Sequence, residues 1–176
     1  MSRHGDWMQT YSGRSFWPLD PHPEDVDIED IAHALSQICR FTGHCENFYS
    51  VAEHCVHVSY IVPSEDALWG LMHDAAEAYV CDVARPLKRF LTNYKSIEDA
   101  VMVAICDRFG MGHEMPETVK RADNAMLAAE KEQLMKPAPA NWCLPEPAAN
   151  IEIECWPPLI AKLKFLARFN TLYVRD

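Results

Sequence analysis

His73 and Asp74 stand side by side at the end of a stretch with apolar residues at Ala67, Leu68, Leu71 and Met72. A charged side chain in such a stretch needs a partner or a metal ion to offset its desolvation. Taken alone, the doublet is weak evidence and reads more readily as a surface aspartate beside a core histidine. Its company points further: His54 opens the preceding helical stretch, and Asp123 lies downstream at a helix edge within R-A-D-N-A. Two imidazoles and two carboxylates form a hard-to-borderline donor set. They suit one divalent ion such as Zn, Co, Mn, Fe or Mg, with coordination positions left for water and substrate.

The elements that must carry these residues read as helices. Six glycines and few β-branched alternations leave little for a sheet, so the fold class is all-α. Asp27 is placed to cap a helix with an apolar stripe of Ile28, Ile31, Ala32, Leu35, Ile38 and Cys39, ending near Arg40. Ser50-Val51-Ala52-Glu53 fits a capping box, which starts a helix with His54 in its first turn and Pro63 at its close. Ser64 is placed to cap a helix that carries His73-Asp74 and continues to Tyr79. Further helices are expected from about Ser96 to Phe109, stopped by Gly110 and Gly112, and from Pro116 to about Met135, with Asp123 beside the stripe Val119, Ala122, Met126 and Ala129. Residues 137–158 hold six of the twelve prolines and predict an extended connection, followed by a short helix from Leu159 to Phe169.

The composition narrows the function classes. A chain of 176 residues fits one domain, here 1–176. No apolar run is long enough for a membrane span, and the first residues resemble neither a secretory signal nor a transit peptide. A cytoplasmic setting is expected, the host cytoplasm if a phage encodes the chain. Seven cysteines without a C-x-x-C pair suggest reduced, mostly small core residues. A net charge of −10 argues against a duplex nucleic-acid partner and leaves a small anionic substrate held by a few local cations.

The order His, then His-Asp, then Asp on successive helices resembles the signature of HD-domain phosphohydrolases. S-V-A-E-H at 50–54, L-M-H-D-A-A-E at 71–77, D-V-A-R-P-L-K at 82–88 and K-R-A-D at 120–123 look like the bacterial 5′-deoxynucleotidases and phage dATP triphosphohydrolases of that superfamily. The resemblance covers about Arg40 to Met135. It implies a compact HD-domain helical bundle with a core of about 28–135, an N-terminal extension and a Pro-rich C-terminal segment packed on it.

By the same resemblance one divalent ion is held by His54, His73, Asp74 and Asp123. Glu77, three residues after Asp74 and so on the same helix face, manages a proton, and Asp82 orients the water or the sugar. Arg40 grips phosphate through its planar fork, and Phe41 stacks on sugar or base where the family usually carries Trp. Pro86 and Lys88 match a segment that contacts base and phosphate, although Val83-Ala84 replaces the more usual Leu-Pro. The implied substrate is a small-molecule deoxynucleotide, adenine in particular, attacked by activated water at the 5′-phosphate. A homo-oligomer is expected, with Trp7, Phe16 and Trp17 covering the core or a neighbouring subunit. Alternatives are a cyclic-nucleotide phosphodiesterase with extra histidines, for which His44 and His57 are the candidates, and a non-catalytic nucleotide-binding module. A structural zinc protein would want closed coordination, which the spacing does not offer. His33 lies off its helix's apolar stripe and is a weaker candidate than either.

Overall fold

A computed structural model describes residues 3–173. Eight α-helices hold about half of the described residues: α1 (Ile28–Gln37), α2 (Val51–Ile61), α3 (Ala67–Met72), α4 (Glu77–Val80), α5 (Arg85–Lys88), α6 (Tyr94–Phe109), α7 (Glu117–Leu134) and α8 (Pro158–Leu172). Before them a two-stranded antiparallel hairpin, β1 (Met8–Gln9) and β2 (Ser15–Phe16), pairs Met8 with Phe16 and Gln9 with Ser15. Sequence patterning did not anticipate the hairpin, which is too short to show alternation. It is tied to α1 through buried Asp30, which accepts from the Ser12 amide at 2.6 Å and the Ser12 hydroxyl at 2.8 Å. Phe16 is fully buried and stacks on Tyr79 at 3.8 Å, so the N-terminal extension supplies core, whereas Trp7 is exposed.

Helix α2 is the axis of the fold. Every residue from Val51 to Ser59 is buried because the helix is packed on several sides, so its polar members Glu53, His54, His57 and Ser59 are enclosed along with the apolar ones. Its neighbours are α1, α3, α7 and α8. Gly70 lets α3 close on it, since a Cβ there would lie 3.0 Å from the Ser59 Cα. The expected caps are local chemistry and are present: Asp27 accepts from the Glu29 amide at 2.9 Å, and Ser50 Oγ from the Glu53 amide at 3.1 Å.

Glu53 does not return the second bond of the capping box. Its buried carboxylate instead accepts the amides of Glu154, Cys155 and Trp156 at 3.2, 2.9 and 2.6 Å. The Pro-rich segment is extended, as read from its prolines, and these three bonds strap its end across α2. Gln133 adds two more, donating to the Ile151 carbonyl and accepting from the Ile153 amide. Helix α8 then returns to the core through Ala161, Phe165 and Phe169.

Three expectations need correction. Helix α1 stops at Gln37 rather than near Arg40, because the chain turns extended at Ile38 to form an antiparallel bridge between Cys39 and Ser50. No continuous helix runs from Ser64 to Tyr79: a 3-10 turn at Ser64–Asp66 leads into α3, and residues 73–76 are turns before α4. The cysteines are free, but only Cys55 and Cys106 are buried, so most are not core residues.

Candidate metal centre

Three elements converge on one point. Helix α2 contributes His54, the turn after α3 contributes His73 and Asp74, and α7 contributes Asp123. The turn tightens through amide bonds from Ala75 to the Met72 carbonyl and from Glu77 to the Asp74 carbonyl. Such i, i+3 bonding gives about three residues per turn, which keeps Asp74 and Glu77 in line although the α-helix is broken.

His54 Nε2 lies 3.2 Å from His73 Nε2, 3.3 Å from Asp123 Oδ1 and 3.7 Å from Asp74 Oδ2, and His73 Nε2 lies 3.2 Å from Asp74 Oδ2. The imidazoles form the floor, 0% and 2% exposed at their side chains, while Asp74 and Asp123 stand at the mouth, 22% and 20% exposed.

The other ring nitrogens decide the chemistry. His54 Nδ1 donates to Glu130 Oε1 at 2.6 Å, and His73 Nδ1 donates to the Gly70 carbonyl at 2.8 Å. With both Nδ1 positions acting as donors, two neutral imidazoles would bring Nε2 lone pairs face to face, so the contact needs a proton or a metal cation between the rings. A cation between them resolves the conflict, so the residues present fit a divalent ion. Electrostatics lean the same way. Burial works against a charged His73, but Asp74 and Cys55 together outweigh it and push the imidazole well above its usual range. Burial likewise opposes ionisation of Asp74 and Asp123; the histidines overcome it, pulling Asp74 far down and Asp123 to about 2. The field that would retain a proton on His73 favours any cation placed there. Cys55 joins His73 and Asp74 within ligand range, though burial raises its thiol to about 11.

Around this quartet, Glu77 is buried with Oε2 unpartnered. Burial first, then the charges of Asp74 and Asp82, raises its carboxyl well above the usual range. Half-buried Asp82 is raised for similar reasons, burial first and Asp74 next. Arg40 is buried, and its fork is largely occupied: Nε and Nη2 donate to Glu130 Oε2 at 3.1 and 2.9 Å, leaving Nη1 3.6 Å from Asp74. Burial opposes the Arg40 charge, but Glu130 and Asp74 more than offset it.

The remaining expected contacts have other partners. Phe41 sits in a left-handed turn (φ 53°) against Trp142, with its ring also near the Arg40 guanidinium. Lys88 donates to Glu98 at 2.6 Å and lies over Tyr94, and Pro86 is exposed on α5. His44 is exposed, His33 stacks on Tyr11, and His57 packs against Trp156.

Two residues escaped the sequence reading. Glu130 is fully buried and links His54 to Arg40; its signal was a carboxylate two turns after Asp123 on the same face of α7. Arg85 donates to Asp123 Oδ2 at 2.8 Å and is largely exposed at the mouth, within the motif that directed attention to Lys88 instead.

No family model matches the chain. It is 41% identical over 169 residues to the uncharacterized protein YfdR of Escherichia coli K12, an alignment covering 94% of this chain and 95% of that one. The chain belongs to the family of YfdR. A second relative, an uncharacterized protein of Rhodobacter capsulatus, is 32% identical over 186 residues, covering 94% of this chain and 95% of its own. In this member of the YfdR family no helix among the described residues is long and apolar enough to cross a membrane.

Proposed function

We propose that the chain is a metal-dependent phosphohydrolase of the HD superfamily, acting on the 5′-phosphate of a deoxynucleotide with adenine the preferred base. The observation that carries the reading is the pair of facing Nε2 atoms, 3.2 Å apart, whose Nδ1 positions are both committed to other partners and which are flanked by Asp74 and Asp123. A divalent ion at these four residues supplies Lewis acidity toward a phosphoryl oxygen and activation of water near neutral pH.

The protein's own residues supply the rest. Glu77, buried and raised, passes its proton to the leaving oxygen and takes one back from the attacking water. Arg85 at the mouth exchanges Asp123 for a phosphate oxygen, and Arg40 Nη1 adds positive charge from the floor. Lys88 acts through charge on Glu77 and Asp82 while it holds Glu98. Asp82 orients the water or the sugar. The deoxynucleotide and the adenine preference rest on the motifs at 50–54, 71–77, 82–88 and 120–123. A cytoplasmic homo-oligomer is the working assembly.

Metal analysis joined to a phosphate-release screen tests the reading. Ribo- and deoxynucleoside mono-, di- and triphosphates are compared under identical metal, with Asp74→Ala as control. A bound divalent ion and release from deoxy substrates, both lost in Asp74→Ala, are expected. Absence of bound metal, or full activity in Asp74→Ala, sinks the proposal; equal rates on ribo substrates defeat its deoxy part, and a pyrimidine preference defeats its adenine part.

A further inference from the structure

The Pro-rich segment passes the quartet before it becomes the strap. Glu146 accepts from Arg121 Nε at 2.9 Å, and the Ala149 amide donates to the Ala125 carbonyl at 2.9 Å. Arg121 and Ala125 stand on either side of Asp123 in α7, so this stretch of chain borders the quartet. Pro137, Pro139, Pro145 and Pro147 fix the backbone through it, which reduces the entropy lost in holding its side chains in place. Within the segment Trp142 meets Phe41, their ring centres 6.1 Å apart and their planes tilted by 53°.

Neither ring belongs to the apolar core, and both stand on strained backbone. Phe41 and Thr42 are left-handed in succession (φ 53° and 54°), and so is Cys143 (φ 51°), directly after Trp142. Glycine adopts that conformation freely, whereas a bulky side chain pays for it, and such strain gathers where side chains are held for a ligand. The surroundings hold the turn of Phe41 in place. The His44 amide donates to the Phe41 carbonyl at 3.0 Å, the Glu46 amide donates to the Leu134 carbonyl at 2.9 Å, and Lys136 pairs with Glu46.

The two rings continue a series of contacts that begins at the quartet. Arg40 Nη1 lies 3.6 Å from Asp74 Oδ2, Arg40 Cζ lies 5.6 Å from the Phe41 ring centre, and Trp142 follows. Exposure rises along the series, from buried Arg40 through half-buried Phe41 to Trp142, which is 36% exposed. A nucleotide whose phosphate meets the quartet carries its base one pentose further out. We propose that Trp142 is a specificity-determining residue that forms, with Phe41, an aromatic corner for that base; the inference rests on the nucleotide reading above. Tilted rings receive a flat heterocycle on one face and meet its edge with the other. Stacking tolerates every base, so the corner selects for the presence of a base rather than for its identity.

The test uses the full chain and two readouts. In the first, phosphate release by the metal-loaded protein is compared between deoxyadenosine 5′-monophosphate and 2-deoxyribose 5-phosphate, which lacks the base. The ratio of the two kcat/KM values should fall about 5–150-fold in Trp142→Leu, the loss of one base–aromatic stack, and recover in part in Trp142→Phe. A merely structural effect of the substitution lowers both values together and leaves the ratio unchanged, which overturns the proposal. The second readout needs no activity. Deoxyadenosine is titrated into metal-free protein while the Trp142 indole N–H resonance, identified by its loss in Trp142→Leu, is followed. A saturable shift is expected, and no shift overturns the proposal. If neither substrate releases phosphate, the hydrolase reading fails and this titration alone decides the role of Trp142.

Discussion

Replacing Glu130 by Gln probes whether one buried carboxylate both stabilises the fold and aims His54. Glu130 is fully buried and receives three hydrogen bonds, two from Arg40 and one from His54 Nδ1. An amide of the same shape accepts at one end only. If its oxygen serves His54, its NH2 group confronts the Arg40 guanidinium; if it serves Arg40, the His54 Nδ1 proton is left opposite a donor. Removing one partner of a buried ion pair costs about 3–5 kcal/mol. Arg40 retains Asp74 at 3.6 Å, which places the loss near about 3 kcal/mol, the lower end of that range. For a chain of this length that lowers Tm by about 6–12 °C. Loss of the group that orients a ligating imidazole weakens metal binding by about 10–100-fold. Thermal unfolding and metal titration against a chromophoric chelator measure the two effects. Arg40→Met with Glu130→Leu separates them: replacing both charges by apolar groups recovers part of the stability but leaves His54 without its acceptor, so metal binding stays weak. Wild-type metal affinity in Glu130→Gln, or full recovery of affinity in the double variant, would refute the reasoning.

Glu77→Gln is expected to keep the metal and lose about 10²–10⁴-fold in turnover, measured by metal content and phosphate release, since an amide cannot carry the proton. The same variant checks a pH effect in metal-free protein. The raised Glu77 carboxyl keeps its proton in the folded state at pH values where the unfolded chain has lost it, so this group's contribution to stability falls as pH rises from the ordinary carboxylate value through the folded one. The difference in urea midpoint between pH 5 and pH 8 should therefore change in Glu77→Gln, and an identical difference would count against the burial argument. Glu53→Gln should cost about 2–4 kcal/mol by leaving strap amides unpaired, with hydrogen exchange accelerated first at Glu154, Cys155 and Trp156. Gly70→Ala should cost about 1–3 kcal/mol in a urea melt, because its Cβ would press on the Ser59 backbone; an unchanged midpoint would show that α3 can shift freely.

Helix existence and caps were legible in the residues because they are local. Asp27 and Ser50 each bond an amide two or three residues ahead, and Gly110 ends α6 in a left-handed conformation that glycine adopts readily. His73 and Asp74 were legible because charged groups in an apolar stretch stand out against their neighbours, and His54 and Asp123 through the order of motifs in which they fall. What the linear order could not supply was the partner of each charge. Glu53 looked like half of a capping box and turned out to hold a strap of chain far away in sequence. Arg40 looked like a free phosphate fork and turned out to be largely occupied by Glu130, ninety residues on. Lys88 drew attention within D-V-A-R-P-L-K, yet Arg85 of the same motif reaches Asp123. A charge identifies itself by type and setting, but its pairing depends on distance in space, which is set only when α2, α7 and the strap pack. The break between α3 and α4 belongs with these: a 3.6-residue period and a tightened turn place the same few side chains in line, so the apolar pattern could not tell one from the other.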